Sequence, residues 1–389
     1  MQHGSGRVEG CGRGCERNVW PSSGTFVSPL SPSAFVRSGM ETVPVPACPV
    51  CGRSGPILYR DLPDRLFGTE GLWTYRSCTK ECGTLWLDPI PRDLRKSYEF
   101  YHTHLQPRPA EKRFAGQLLR TIYKPIKHGY FQARLGYREN VGPSWWRIFA
   151  PLAFLHPGGA DGIAGDAMFL KAPEPGAHLL EIGAGNGAAL EKMKHRGWNV
   201  TAIEFDPACV PALEARGLKC YPRDLRELNL PGESTDAIYM GHVIEHLHNP
   251  KTLLMECNRI LKPGGSLVMV TPNSQSWGHR HYQQNWRGLE TPRHLQLFSP
   301  QSLRRLAEAS SFSHIRVHTS NRGAWYSLGM SAAMRSVRQK AFHDTAILSM
   351  ISARALAFQL FGRLVQAGDR MAGEEIIFSA HKEPCFRRS

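Results

Sequence analysis

The feature that most constrains the fold of this chain is a β-like run that leads directly into a glycine-rich turn. It reads LLEIGAGNG over residues 179–187, and a helix-like segment follows it. Glycines let the backbone approach a ligand closely, and the N-terminus of the following helix presents N–H groups to that ligand. The run therefore predicts a strand–turn–helix unit that binds a ligand within an α/β fold.

Short β-like runs alternate with helix-like runs from residue 177 onward, which is typical of parallel α/β architecture. Seven strands are predicted at His178–Gly183, Asn199–Phe205, Lys219–Tyr221, Asp236–Met240, Ser266–Thr271, His314–His318 and Glu375–Ala380. Four helices between them are predicted near Ala188–Arg196, Ala208–Ala215, Lys251–Leu261 and Pro300–Ala309. Seven strands fit one doubly wound, Rossmann-like sheet, which is the fold class that we expect.

Composition and pattern divide the chain into six predicted segments. They are a disordered tail (1–45), a Cys-bearing unit (46–92), a helical linker or cap (93–170), the α/β core (171–324), a helical insertion or lid (325–372), and the last strand with a C-terminal tail (373–389). The tail is rich in Gly, Ser, Pro and Arg and lacks periodicity, which is the basis for predicting disorder there.

Two close cysteine pairs, each followed by glycine, lie in the Cys-bearing unit. They have the spacings C-x₂-C and C-x₃-C and are formed by Cys48, Cys51, Cys78 and Cys82. Two tight turns that each present two thiolates can bind Zn²⁺ tetrahedrally, and zinc would supply folding energy that so short a segment cannot gain from apolar burial. We predict a structural zinc ribbon, because four thiolates leave no open position for catalysis. The alternative is four unrelated buried cysteines.

The chain carries 48 Lys and Arg against 33 Asp and Glu, a formal net charge of +15. This excess favours anionic partners: nucleic acid, an acidic membrane surface or phosphorylated substrates. Residues 325–372 interleave apolar residues with the cations Arg335, Arg338, Lys340, Arg354 and Arg363. This segment is therefore either a packed amphipathic lid or a surface that contacts anionic lipid or a bulky substrate. The sparse cysteines and the absence of a clean 20-residue apolar run lead us to expect a cytosolic protein.

The glycine run alone leaves the ligand open. Gly183, Gly185 and Ala188 also satisfy the dinucleotide pattern G-x-G-x-x-G/A, and Glu204 at the end of the next strand could hold ribose hydroxyls in either case. Glu181 favours a ligand with an ammonium group, because a carboxylate beneath the turn would repel a pyrophosphate. An NAD(P)-dependent oxidoreductase is therefore the disfavoured enzymatic alternative.

Five motifs follow one another in a fixed order: LLEIGAGNG, AIEFD, VIEHL, LKPGGSLVMVTPN and WRGLETPRHLQLF. The first four resemble the class I S-adenosylmethionine-dependent methyltransferases. The resemblance covers roughly residues 175–320 and, in addition, the final strand GEEIIFSAHK. The fifth resembles a bacterial subgroup in which a two-knuckle zinc ribbon often precedes the methyltransferase domain. The resemblance implies S-adenosylmethionine as the cofactor, with structural Zn²⁺ in the ribbon.

The resemblance also implies which residues would bind the cofactor. They are Glu181, Gly183, Gly185 and Gly187 at its methionine part, Glu204 at the ribose, Phe205, Asp224 and Leu225 at the adenine, and Gly241 and His242 beside the methyl group. The alternative to adenine binding for Asp224 is that it is a solvated loop carboxylate.

Methyl transfer requires an acceptor held in line with the methyl group, and an oxygen acceptor must also lose its proton. His246 follows the fourth strand and His294 lies in the loop after the fifth, so both can reach the cleft at the carboxyl ends of the strands. We predict that they are catalytic bases; the alternative for each is a hydrogen bond that fixes its loop. Some related enzymes carry Glu-x-x-Glu-His at this place and bind a divalent ion. The corresponding set here is His242, Glu245, His246 and His294, which suits Mg²⁺ less well.

The loop from Trp277 to Arg287 combines histidine, arginine and aromatic residues that suit a phosphate and a planar or sugar ring. We therefore expect O-methylation of a small-molecule, sugar or lipid-linked acceptor, such as a quinone precursor. The alternative from another class is a nucleic-acid-binding protein or RNA methyltransferase that uses the basic surface and the ribbon.

Overall fold

The computed structural model describes residues 40–79, 81–97, 114–138, 141–155, 157–336 and 345–384, all within one compact unit, Ser38–Ser389. The predictions for residues 1–39 and for Arg338 and Lys340 lie outside the described residues. The N-terminal strands are β1 (Thr42–Val43), β2 (Ile57–Leu62), β3 (Trp73–Ser77), β4 (Leu85–Leu87) and β5 (Ile90–Pro91).

Helical segments connect these strands to the core. They are α1 (Phe114–Tyr130), a π-helical turn (Phe131–Leu135), a 3₁₀ segment (Ser144–Leu155) and α2 (Gly159–Ala164). The core strands are β6 (His178–Ile182), β7 (Asn199–Ile203), β8 (Lys219–Tyr221), β9 (Thr235–Gly241), β10 (Leu261–Pro272), β11 (Gln296–Leu297), β12 (Phe312–Ser320) and β13 (Glu375–Lys382). The remaining helices are α3 (Ala188–Lys194), α4 (Val210–Ala215), α5 (Pro250–Ile260), α6 (Trp277–Tyr282), α7 (Pro300–Glu308), α8 (Ala324–Ser336) and α9 (Thr345–Gly368).

The predicted seven-stranded α/β sheet is confirmed, with the strand order β12-β13-β10-β9-β6-β7-β8. Successive residues of β6 face opposite sides of it: Leu179 belongs to one buried cluster, whereas Leu180 and Ile182 belong to the other. Helices cover both faces, which explains why these strands read as continuous apolar runs. Strand order reverses between β6 and β9, so a crevice opens at their carboxyl ends.

The sheet is mixed rather than parallel throughout, because β13 near one edge is antiparallel to both β10 and β12. The reason lies in where the chain re-enters the sheet. β12 ends at Ser320, directly opposite Glu375, where β13 begins. Helices α8 and α9 therefore return the chain to the same end of the sheet, and β13 must run back between its neighbours.

Strands β2, β3 and β4 form a second sheet with the order β11-β4-β3-β2, whereas β1 and β5 pair with each other. Its edge strand β11 comes from the loop region that follows β10, and Gln296 pairs with Trp86 while Leu297 pairs with Leu85. The Cys-bearing unit and the methyltransferase-like core therefore share this sheet. In the described part of the chain, no helix combines the length and apolar character needed to cross a bilayer.

Candidate active site

The glycine turn after β6 is shaped by close contacts that only glycine tolerates. Gly183 has φ +74°, and a Cβ atom there would lie 2.4 Å from Cγ2 of Val243. The N–H of Gly185 donates to Oε2 of Glu204 at 2.6 Å, and the N–H of Asp206 donates to Oε1 of the same carboxylate at 3.0 Å. Glu204 thus fixes the turn while its carboxylate still borders the crevice.

A cavity of about 1060 Å³ opens at the carboxyl ends of the core strands. It is lined by seven residues predicted to bind the cofactor: Gly183, Gly185, Glu204, Phe205, Asp224, Gly241 and His242. Both predicted bases, His246 and His294, also line it. The structure therefore brings most of the predicted site together around one space. Asp224 is paired with Arg226 through both carboxylate oxygens, at 2.8 and 2.6 Å.

Three predicted cofactor residues lie behind the cavity wall. Gly187 is a packing position, since a Cβ atom there would lie 2.5 Å from Cδ2 of Leu213. Leu225 is fully buried in the core. Glu181 is buried on β6, and its Oε2 has no hydrogen-bond partner among the described residues. Burial, and then the charge of Glu204, raise the pKa of Glu181 well above its ordinary value. A buried carboxylate without a partner fits a ligand that brings an ammonium group.

His242 lies at the end of β9 with φ +56°, a conformation that is costly for a residue other than glycine. Its Nδ1 lies 3.4 Å from Oε1 of Glu245, and its Nε2 lies 3.4 Å from Oε1 of Glu375. Burial alone would lower the pKa of His242, but the two carboxylates raise it to about 9. The two carboxylates therefore favour the protonated imidazole of His242, which is a poor proton acceptor.

The two predicted bases lie side by side, with ring centroids 4.8 Å apart. Nδ1 of His294 donates to the carbonyl oxygen of Gly288 at 2.7 Å, and Nδ1 of His246 lies 2.9 Å from the carbonyl oxygen of Arg293. These are the loop-fixing hydrogen bonds considered as the alternative to catalysis. Burial lowers the pKa of His294 to about 4, despite the nearby carboxylate of Glu290. His294 is thus neutral at physiological pH and a weaker base than an exposed histidine.

Glu245, His246 and His294 could hold a divalent ion. Their donor atoms lie within 4.8 Å of one another. Oε2 of Glu245 accepts a hydrogen bond from Thr271 Oγ1 at 2.9 Å, whereas Oε1 lies 3.4 Å from Nδ1 of His242 and 4.0 Å from Nε2 of His294. Two imidazoles and one carboxylate suit a borderline ion such as Zn²⁺ or Fe²⁺ better than Mg²⁺.

The four N-terminal cysteines converge, so the alternative of four unrelated thiols is wrong. Their sulfur atoms lie within 4.8 Å of one another, with Cys48 Sγ 3.8 Å from Cys82 Sγ and Cys51 Sγ 3.3 Å from Cys78 Sγ. A tetrahedral zinc site with Zn–S bonds of about 2.3 Å has sulfur–sulfur edges of about 3.8 Å. The sulfur positions therefore fit Zn²⁺ within a small adjustment.

Contacts between the Cys-bearing unit and the loop that carries His294 were missed by the sequence analysis. Arg293 is fully buried and lies 2.9 Å from Oδ2 of Asp64 and 3.2 Å from Oε1 of Glu290. The hydroxyl of Tyr75 lies 2.5 Å from the carbonyl oxygen of His294. The contacts made by Asp64 and Tyr75 join residues more than 200 positions apart, so no local pattern could reveal them.

Further cavity residues also escaped the sequence analysis. They come from the segment after β5, from α8 and from the start of β13: Arg92, Asp93, Leu94, Arg95, Trp325, Tyr326, Ser327, Glu374 and Glu375. Glu374 is buried and accepts hydrogen bonds from Trp286 Nε1 at 2.9 Å and from Ser327 Oγ at 2.7 Å. The acidic pair before an apolar strand was the signal that could have identified the two glutamates.

The sheet order, the glycine turn after its central strand and the carboxylate at the end of the neighbouring strand define a nucleoside-binding α/β domain. Residues 164–317 match a family model described as "Methyltransferase domain". This part of the chain is therefore similar to methyltransferase domains.

Several relatives carry the name ubiquinone biosynthesis O-methyltransferase. The protein of Xanthomonas oryzae pv. oryzae is 29% identical over 157 residues, covering 39% of this chain and 65% of that protein. The protein of Xanthomonas campestris pv. campestris is 31% identical over 152 residues, covering 37% of this chain and 62% of that protein. The chain thus spans less than two thirds of the length of these relatives. A solved S-adenosylmethionine-dependent methyltransferase of Archaeoglobus fulgidus superposes with a TM-score of 0.39 at 16% identity, covering 61% of this chain and all of that chain (100%).

Proposed function

We propose that this chain is an S-adenosylmethionine-dependent methyltransferase that methylates an oxygen atom of a small acceptor. The observation that carries the proposal is the arrangement around the glycine turn. Gly183 and Gly185 border a large cavity, Glu204 lies at the far end of the turn, and the buried Glu181 carboxylate beneath it lacks a partner. This set fits a ligand that combines an ammonium group with a nucleoside.

The cofactor supplies a methyl group that its sulfonium sulfur already activates. Glu181 would face the amino group of its methionine part, and Glu204 would accept hydrogen bonds from the ribose hydroxyls. Phe205, Asp224, Gly241 and His242 all line the cavity; the first two would face the adenine, and the last two would border the methyl group. The main contribution of the chain is to hold the acceptor in line with the methyl group.

Three other residues that line the cavity suit an acceptor with a ring. They are Trp286, Tyr326 and Arg287, whose guanidinium lies 5.4 Å from the ring centroid of Tyr326 and is paired with Glu290 at 2.7 Å. A cavity of about 1060 Å³ lies at the upper end of ligand-cavity volumes, which leaves room for an acceptor beside the cofactor. The acceptor that we propose is a small-molecule, sugar or lipid-linked compound, with or without a phosphate. The names of the relatives support transfer to oxygen.

An oxygen acceptor must lose a proton as the methyl group is transferred. We assign this role to the His246 and His294 pair, because both rings line the cavity and lie side by side, with ring centroids 4.8 Å apart. His242 is excluded from it by its raised pKa of about 9. The Cys48–Cys82 cluster is assigned to structural Zn²⁺.

Calorimetric titration with S-adenosylhomocysteine and with NAD⁺ tests the proposal. We expect heat of binding with the first compound only, and a loss of affinity of at least tenfold in Glu204→Ala. The exposed Glu214→Gln is the matched control and is expected to bind as the unmodified chain does. Well-folded protein that releases no heat with S-adenosylhomocysteine would falsify the assignment. An acceptor screen with labelled cofactor, including catechols, phosphosugars and RNA, then identifies the substrate class.

A further inference from the structure

An exposed apolar face lies outside the cavity, on α9 and on the 3₁₀ segment Ser144–Leu155. It consists of Leu356, Leu360 and Leu364 of α9 together with Trp145, Ile148 and Leu155, each between 47% and 76% exposed. Large apolar side chains scattered singly on a surface are ordinary, but a group on two adjoining elements indicates a contact surface.

The two elements lie next to each other. Arg363 of α9 donates a hydrogen bond from Nη2 to the carbonyl oxygen of Phe154 at 2.6 Å. At about 100° per residue, Leu356, Leu360 and Leu364 fall within about 80° of the helix circumference. Arg354 and Arg363 lie on opposite sides of this leucine stripe, and Arg147 is exposed in the 3₁₀ segment.

The apolar face carries positive charge without any acid. Neither Ser144–Leu155 nor Thr345–Gly368 contains Asp or Glu, whereas together they contain Arg147, Arg354 and Arg363. If two copies of the chain associated through this face, it would pack against itself and place arginines against arginines. An anionic lipid surface would instead complement both the apolar side chains and the cations around them.

The apolar face begins near the rim of the cavity. Trp325 lines the cavity and is 37% exposed, and its backbone N–H donates to Oε1 of Gln359 at 3.2 Å, one residue before Leu360. The ring of Phe361 lies 4.8 Å from that of Trp277, in the loop expected to recognise the acceptor.

We propose that the exposed apolar face docks the protein on the surface of an anionic lipid bilayer. The contact is peripheral, with the leucine stripe at the depth of the headgroups and the exposed Arg147 and Arg354 on lipid phosphates. Docking itself does not depend on the proposed function. The consequence of docking rests on the proposed function, because an apolar acceptor in the bilayer would then reach the cavity rim without crossing water.

Co-sedimentation of the full chain with vesicles tests the proposal without cofactor. We expect strong binding to phosphatidylcholine vesicles containing phosphatidylglycerol and at least tenfold weaker binding to phosphatidylcholine alone. The double variant Leu356→Gln/Leu364→Gln is expected to lose at least tenfold in partition, and Arg354→Gln about fivefold. Met255→Gln, which alters a 54% exposed apolar residue on α5, is the matched control and should bind normally.

Each of three results would overturn the proposal. They are the absence of vesicle binding by folded protein, equal binding by the double leucine variant and the Met255→Gln control, and vesicle-independent dimerisation that the double variant abolishes. The last result would assign the face to a second copy of the chain. Unchanged titration of the double variant with S-adenosylhomocysteine shows that its fold and cofactor site are intact, so failure of docking is distinguishable from failure of the proposed function.

Discussion

Replacing the buried carboxylate beneath the glycine turn should have opposite effects on stability and on ligand binding. Glu181 is 5% exposed, and its Oε2 has no hydrogen-bond partner in the part of the chain that the structure describes. Burial and the neighbouring Glu204 raise its pKa. A glutamine has nearly the same shape but carries no charge, so Glu181→Gln removes the cost of the buried charge and also removes the attraction for an ammonium group.

The size of the stability gain has an upper bound. At pH 7 the folded protein can avoid the buried charge by protonating Glu181, which costs about 1.4 kcal/mol for each of about 2.5 pH units above its ordinary pKa of 4.5. The gain in Glu181→Gln therefore cannot exceed about 3.4 kcal/mol, and we expect about 1–3 kcal/mol. Because the folded-state pKa is raised, the difference between the two proteins should vanish below pH 4.5 and grow as the pH rises.

Urea denaturation with and without S-adenosylhomocysteine measures both effects. A ligand at 100 times its dissociation constant stabilises the unmodified chain by about 2.7 kcal/mol. A tenfold loss of affinity in Glu181→Gln would reduce this to about 1.4 kcal/mol at the same ligand concentration. The exposed Glu214→Gln is the control and should change neither quantity. Lower stability of ligand-free Glu181→Gln, or an unchanged ligand effect, would refute the reasoning.

Three further predictions concern the loop, the cysteines and His242. Arg293→Met should cost about 3–5 kcal/mol in urea denaturation, because it leaves Asp64 buried without its cation and removes one of the two arginines beside Glu290; the same cost for the exposed Arg92→Met would contradict this. Fresh protein should contain one equivalent of zinc by elemental analysis, and Cys82→Ser should abolish it; less than half an equivalent in the unmodified chain would exclude the zinc site. The raised pKa of His242 gives a stability contribution that is complete below pH 6.5 and is lost as the pH rises towards about 9. His242→Gln should therefore flatten the pH dependence of stability in that range, and an unchanged profile would argue against the ion pairs with Glu245 and Glu375.

The sequence predicted the central strands well because their positions along the chain follow from local pattern. The predicted strand Lys219–Tyr221 has the observed bounds, and the glycine turn lies at the end of β6 as expected. The predicted strand Ser266–Thr271 is longer in the structure, since β10 starts at Leu261 and contains a register shift before Ser266. The direction of β13 was not predictable, because it depends on where α8 and α9 return the chain.

The candidate site could be predicted only where its residues belong to the glycine turn or to the motifs at the ends of β7 and β9. Gly183, Glu204 and His242 were found in this way, and all border the cavity. The partner of His242 on β13, Glu375, is 133 positions away and was not found. Leu225 was predicted from its motif position to contact the adenine, but its side chain is buried in the core.

The Cys-bearing unit is part of the candidate site, which bears on the alternative of a separate nucleic-acid-binding module. Its sheet uses β11 as an edge strand, so the backbone of that edge is already paired two residues after His294. Tyr75 is fully buried against the carbonyl oxygen of His294, and Ser299 Oγ donates to the carbonyl oxygen of Cys82 at 2.6 Å. If the unit bound nucleic acid through the surface that makes these contacts, the contacts would first have to break. The unit instead contacts the loop that carries the proposed base His294. Zinc bound to its cysteines would therefore help to hold that loop, and with it part of the cavity lining, in position.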